Sequence, residues 1–263
     1  MKNIGFPFDF EDVYSHGKRL HFIKKAIEDY CRQSKKKENE IFILDVGCGT
    51  GIGITFPIAS LGYNILGIDI DSSSIKEANK INIYSNASFA SGFIEDKTDL
   101  QEADIIICSE VLEHVPDPFK FLLSLKNYLK KEGMIILTTP NGYGWFELEK
   151  FVYEKFGLKI LFKLVSRLIR VRKIIHTKQF LPLTTLNEKD KHLQRFTYKR
   201  LKLLFNQANL KIVKESRAGL FGGQISGILF RRFTPLLKLN NWLGAKLPIQ
   251  LSIDWYFVLK SLN

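Results

Sequence analysis

Ile41-Phe42-Ile43-Leu44-Asp45-Val46-Gly47-Cys48-Gly49-Thr50-Gly51 carries an apolar run straight into a glycine-rich loop, with a further glycine at position 53. A short apolar run bounded by turn residues reads as a buried strand. Glycine is needed where a chain turns sharply off a strand or lets backbone approach a ligand without a Cβ in the way. The next apolar run, Asn64-Ile65-Leu66-Gly67-Ile68-Asp69, ends in an acid about 20 residues further on, the spacing at which a carboxylate takes ribose hydroxyls in nucleotide-binding folds. The pair is a stronger signal than either part; the bland alternative is a strand-turn-helix with no ligand. Gly-x-Gly-x-Gly-x-Gly is not the Gly-x-Gly-x-x-Gly that seats a pyrophosphate on a helix N-terminus, which argues against a dinucleotide.

Outward from this unit, apolar runs alternate with amphipathic segments of helical length, as in βαβ units feeding a parallel sheet. Strands are expected at 41–46, 64–69, 87–91, 104–108 and 133–139, after a helix from about Gly17 to Arg32. The polar run Ser34 to Asn39 between that helix and the first strand reads as a solvated connector. Past Pro140 a basic, largely helical stretch runs to about Lys191, followed by a helix over 197–208 and strands at 210–216 and 253–260. The expected fold is α/β: a Rossmann-like, doubly wound, seven-stranded and mostly parallel sheet, with helical insertions after strand five and between strands six and seven. Its expected parts are an N-terminal helical cap (1–40), a ligand-binding core (41–142), a basic helical insertion (143–196) and a C-terminal helix and strands completing the sheet (197–263).

Hydrophobic and charged fractions of 45% and 25% are those of a globular protein. Residues 1–142 hold 16 Lys+Arg against 20 Asp+Glu, whereas 143–263 hold 23 against 7, a balance of +16. The second part therefore attracts an anionic partner: nucleic acid, an acidic substrate or an anionic membrane. Met1 to Tyr14 has no signal-like apolar run, and no stretch has the length of a spanning helix, so the expected location is cytoplasmic. Cys31, Cys48 and Cys108 are widely spaced and suggest neither a disulfide framework nor a zinc site.

The fourth strand ends in Ser109-Glu110-Val111-Leu112-Glu113-His114-Val115-Pro116-Asp117-Pro118. Ligands bind beyond the carboxyl ends of strands in such sheets, so Ser109 and Glu110 face the expected crevice. If Glu110 starts a helical turn, Glu113 and His114 share its face, and two carboxylates and an imidazole converge on one proton or one divalent ion. The bland reading is that Glu113 and His114 satisfy each other or nearby backbone. Asp117 and Pro118 make a sound start for a helix over 119–131.

The stretch Leu44 to Gly51 resembles the first motif of class I S-adenosylmethionine-dependent methyltransferases, and Gly67-Ile68-Asp69 resembles their second. Glu110-x-x-Glu113-His114 is similar to the block of the ubiquinone-biosynthesis O-methyltransferases and related small-molecule enzymes, and Arg19-Leu20 matches their cofactor-touching Arg-Leu. The resemblance covers about residues 17–140, with a looser echo at His192-Leu193-Gln194-Arg195-Phe196-Thr197. It implies S-adenosylmethionine as cofactor, with Asp45, Gly47, Cys48, Gly49 and Gly51 around it, Asp69 on the ribose, and Arg19, Ile70, Phe93 and Ser109 completing the site. It implies a divalent metal such as magnesium on Glu110, Glu113 and His114, which with His192 form the catalytic set, and a last strand inserted antiparallel beside the fifth. An aspartate that reads adenine in many such enzymes has no counterpart in Ser91 to Glu95, leaving Glu95 or backbone groups to do so.

Because the sulfonium methyl is already activated, the expected work is aligning an acceptor and removing its proton, with His114 or His192 as general base; His192 alternatively only orients the loop before Thr197, an expected N-cap. Lys155, Lys159, Lys163, Arg167 and Arg170 alternate with apolar residues, a basic amphipathic helix that reads either as a lid over the cleft or as an interfacial helix on anionic lipid, peripheral at the inner membrane face. The expected acceptor is a small molecule or lipid-like compound, with oxygen as the expected site of methylation. RNA methylation is disfavoured by the absence of an Asn-Pro-Pro-Tyr-type signature and of an aromatic platform in the basic stripe. A nonenzymatic cofactor-binding module is the remaining alternative, since the glycine loop and Asp69 concern binding alone.

Overall fold

The computed structural model describes residues 16–97, 100–145, 192–221 and 234–262. Seven strands form one sheet: β1 (Phe42–Val46), β2 (Asn64–Asp69), β3 (Ala87–Ser91), β4 (Ala103–Ser109), β5 (Leu129–Pro140), β6 (Leu210–Arg217) and β7 (Asp254–Ser261). Their spatial order is β3-β2-β1-β4-β5-β7-β6. The first five are parallel, and β7 lies antiparallel between β5 and β6. The helices are α1 (His16–Ser34), α2 (Thr55–Ala59), α3 (Ser72–Ile81), α4 (Pro118–Asn127), α5 (Tyr198–Gln207) and α6 (Thr234–Lys246). This is the expected doubly wound architecture, with α6 inside the segment between strands six and seven.

Side chains alternate between the two faces along each strand. Leu44, Ile106, Leu137 and Phe257 join a core with Phe121 and Leu125 of α4 and Leu201 and Phe205 of α5. Ile43, Ile107, Ile136 and Val258 face the other way, against Ile23, Ala26 and Ile27 of α1. Both faces of the central strands are covered, which explains their near-continuous apolar runs. Local caps fix the helix starts: Asp71 accepts from Ser73 N at 3.1 Å, Asp117 from Lys120 N at 3.0 Å, and Thr197 from Arg200 N at 3.2 Å.

Two expectations are corrected. The helix expected to reach residue 131 ends at Asn127, and β5 begins at Leu129 instead of 133, because Leu129 pairs with Ala103 ahead of a register shift in β4. The connector 34–39 is more than solvated chain. Its Lys36 Nζ lies 2.5 Å from Asp104 Oδ1, and Lys130 Nζ (2.8 Å), Tyr30 OH (3.3 Å) and Phe42 N (3.0 Å) also bond this fully buried carboxylate. Asp104 thereby ties α1, β1, β4 and β5 together at the amino ends of the strands. Within the insertion expected at 143–196, residues 146–191, on which the expected basic amphipathic helix falls, lie outside the described residues, as do 222–233.

Candidate active site

At the carboxyl end of β1 the chain turns through Gly47 (φ 77°) and Gly49 (φ 55°), both in the left-handed region. The loop is pinned to β2: Gly47 N and Cys48 N donate to Ile68 O at 2.7 and 3.2 Å, and Gly49 N donates to Asp69 Oδ2 at 2.7 Å. A Cβ at Gly47 would sit 2.2 Å from Val111 Cγ2, so the loop touches the segment that follows β4. Asp69 Oδ1 accepts from Asp71 N at 2.8 Å. Asp45, at the floor, takes the Thr55 hydroxyl at 2.6 Å, and burial together with the nearby Asp69 charge, against that bond, pushes its carboxyl up to about 7.

Asp45, Gly47, Cys48, Gly49 and Asp69 line a cavity of about 1280 Å³ together with His16, Arg19, Leu20, Ile70, Phe93, Ser109, Glu110, Glu113, His114 and His192. Of the sequence-predicted residues, Arg19, Asp45, Gly47, Cys48, Gly49, Asp69, Ile70, Phe93 and Ser109 border it. Gly51 does not: its φ of 76° and a would-be Cβ 2.7 Å from the Phe89 ring give it a packing role in the turn. Burial raises the Cys48 thiol well above the ordinary cysteine range, which makes it a packing group. Ile70 and Phe93 are apolar yet 62% and 55% exposed at the rim, a wet apolar pair suited to the faces of a flat base. Beyond β3, Glu95 and Asp96 also border the cavity, so the acid absent from the expected place has neighbours close by.

The segment after β4 departs from expectation. Glu110 has φ 59° and starts no helical turn; a short 3-10 helix spans Leu112–His114 instead. Glu110 therefore stands outside the ligand group that Glu113 and His114 form, while its charge still reaches Glu113. Its Oε1 takes the Thr138 hydroxyl at 2.8 Å, Thr138 lies 2.9 Å from Ser109 Oγ, and Arg19 Nη1 stands 3.8 Å from Glu110. Glu113, His114 and His192 form the cluster: one ligand atom from each lies within 4.8 Å of the others, the only such group of three among the described residues that includes these side chains. The imidazoles meet edge to face at 5.0 Å, and Leu193 N and Gln194 N both donate to Glu113 O at 2.9 Å, which holds His192 beside His114. Burial and the Glu110 charge hold the Glu113 carboxyl well above the usual carboxylate range, despite the Thr139 hydroxyl at 3.2 Å.

Sequence reasoning missed Thr138, Thr139 and Asp254. Asp254 opens β7, and its Oδ2 stands 4.0 Å from Arg19 Nη2. Only the Arg-Leu match pointed to Arg19, and nothing local marked its acidic partners.

A family model described as a methyltransferase domain matches residues 17–215. The chain is 37% identical over 116 residues to the ubiquinone biosynthesis O-methyltransferase of Glaesserella parasuis serovar 5, a match covering 40% of this chain and 49% of that protein. It is 36% identical over 123 residues to the enzyme of that description from Rickettsia akari, covering 46% and 47%. The chain thus spans about half the length of these relatives. Among solved structures, magnesium protoporphyrin IX methyltransferase from Synechocystis PCC 6803 aligns with TM-score 0.53 and 12% identity over 95% of this chain and 86% of that one. An S-adenosylmethionine-dependent methyltransferase from Clostridium acetobutylicum ATCC 824 aligns with TM-score 0.55 and 12% identity over 100% and 96%. At such identities the structural likeness speaks for the fold alone. The family match takes in α1, the glycine loop, the cluster after β4 and β6, and the chain belongs to the methyltransferase domain family.

Proposed function

We propose that this chain is a class I S-adenosylmethionine-dependent methyltransferase acting on an oxygen of a small-molecule acceptor. The observation that carries the reading is one cavity with two chemically different ends: the glycine loop with Asp69, Ile70 and Phe93, and the cluster of Glu113, His114 and His192. The residues fit the donor. Asp69 holds the glycine loop and Asp71 N through its two oxygens and borders the cavity where ribose hydroxyls would lie. Ile70 and Phe93 offer apolar faces to adenine, with Glu95, Asp96 or backbone groups for its amine, while Arg19, Ser109 and Glu110 border the amino-acid end. S-adenosylmethionine supplies a methyl already activated on its sulfonium, so the chain needs only to align the acceptor and accept its proton. His192 or His114 takes that proton, imidazole being the side chain that exchanges one near neutral pH.

A divalent cation fits the same cluster. His114 Nδ1 is buried without a partner, and a carboxylate with two imidazoles converges there. Glu110 is outside this set, and two nitrogen donors suit manganese, iron, cobalt or zinc better than magnesium. Such an ion would polarise the acceptor oxygen. An apolar or lipid-linked acceptor at an anionic membrane surface, and not nucleic acid, completes the proposal. It is supported by the +16 balance of residues 143–263 and by exposed Leu239 and Trp242 beside Lys238 and Lys246 on α6. Among the described residues no helix is long and apolar enough to cross a membrane.

Calorimetric titration with S-adenosylmethionine and, separately, NADH tests the donor. Saturable binding of the first alone, weakened in Asp69→Ala, supports the reading, and S-adenosylhomocysteine production with catechol and quinol compounds then tests the acceptor. Failure to bind S-adenosylmethionine sinks the proposal.

A further inference from the structure

Arg19 is a buried guanidinium on the wall of the cavity, with its side chain 12% exposed. Its Nε is fully covered and has no hydrogen-bond partner. Its nearest acids, Glu110 Oε1 at 3.8 Å from Nη1 and Asp254 Oδ2 at 4.0 Å from Nη2, are charge partners beyond hydrogen-bond length. Buried polar groups in native proteins are hydrogen-bonded, so a cavity-facing guanidinium with unspent donors calls for an anionic ligand. Under the donor reading above, on which this inference rests, that anion is the carboxylate of the methionyl moiety.

We propose that Asp254 is a positioning residue for donor binding, holding Arg19 between itself and Glu110 so that the guanidinium presents its N–H groups to the donor carboxylate. Asp254 does not border the cavity and acts through Arg19. The topology puts it there. In a parallel sheet the carboxyl ends of the strands form the ligand rim; β7 runs the other way, so its first residue pairs with Pro140 at the end of β5 and arrives at that rim. Ala218 N and Ser252 Oγ donate to Asp254 O at 3.1 and 2.9 Å, which holds the backbone at the start of β7. Two carboxylates on opposite Nη groups, at nearly equal distances, leave the guanidinium balanced. With Asp254 neutralised, Arg19 closes on Glu110 as a bidentate pair, which consumes the N–H groups the ligand needs and turns them from the cavity.

The test is calorimetric titration of the unaltered chain, Asp254→Asn and Arg19→Gln with S-adenosylmethionine, S-adenosylhomocysteine and 5′-methylthioadenosine, which keeps the nucleoside and thioether but lacks the amino-acid group. Asp254→Asn is expected to weaken the first two by about tenfold and leave the third unchanged. In the Arg19→Gln background it should add no further loss, because the two substitutions disable one device. Retained methylthioadenosine binding reports that the variant is folded, and Asp254→Ser is the second variant if Asp254→Asn does not fold. Equal weakening of all three ligands, unchanged binding of all three, or additive losses in the double variant would overturn the role of Asp254 while leaving the donor reading intact. Absence of S-adenosylmethionine binding by the unaltered chain overturns that reading and this inference together.

Discussion

Replacing Gly47 with alanine confronts two separate costs that the structure sets out. The residue has φ 77°, where an L side chain costs about 1–2 kcal/mol. Its new Cβ would lie 2.2 Å from Val111 Cγ2, against about 3.5–4.0 Å for carbons in contact. Relieving that overlap costs a further ~1–3 kcal/mol of overpacking. The sum, about 2–5 kcal/mol, should lower the urea midpoint by about 1–2 M at an unfolding slope of roughly 2–3 kcal/mol/M. Val111 follows Glu110 directly, so its displacement also moves the cavity wall, and S-adenosylmethionine affinity should fall by about tenfold or more. Gly62→Ala is the control: φ is 95°, but the nearest atom to its would-be Cβ is Glu38 Cβ at 3.8 Å, so it bears the backbone cost without the overlap. Val111→Ala added to Gly47→Ala should recover part of the lost stability. Equal midpoints for the two glycine variants, or no relief from the added Val111→Ala, would refute the reasoning.

Burial alone would raise the Asp104 carboxyl, but the Lys130 and Lys36 ammonium groups and the Phe42 N–H outweigh it and hold it below the usual carboxylate range. Its stabilisation is therefore complete above the unfolded value of about 3.9 and lost as pH falls through the folded value. Asp104→Asn should lower the thermal midpoint at pH 7 and flatten its acid limb; a difference between variant and parent that stays constant from pH 6 to pH 2 would contradict this. Asp45 has the opposite sign, since burial raises its carboxyl to about 7 and keeping it charged in the folded state costs stability as pH rises from about 4 through 7. Asp45→Asn should gain on the parent across that window in thermal unfolding without ligand, and parallel curves would dismiss the shift. His192→Gln should cut turnover by about 100-fold and leave donor affinity within about twofold if His192 takes the acceptor proton; unchanged turnover removes it from the mechanism.

The part of the site that was legible beforehand is the part whose residues are neighbours along the chain. Gly47, Gly49 and Asp69 follow from turns and strand ends, and the expected N-caps Asp117 and Thr197 each act within a single turn of helix. The region after β4 was harder because its reading assumed a helical turn from Glu110, whereas a left-handed residue there sends Glu110 toward Arg19 and Thr138 and leaves Glu113 and His114 to meet His192. A single positive φ reverses such an inference, and no periodicity announces it on a residue that is not glycine.

What the sequence by itself determined is the layered α/β plan, the order of strands along the chain and the glycine loop with its acid, because these depend on short-range spacing of apolar residues and on where backbone can turn. The tertiary structure alone decided which distant groups meet. Asp104 gathers Lys36 and Lys130 at one end of the sheet, His192 reaches His114 across 78 positions of chain, and reversed β7 brings Asp254 to Arg19. Those contacts join charged and polar groups that carry no repeating pattern, and their energy depends on burial and on distances of a few ångströms that only the packed sheet sets.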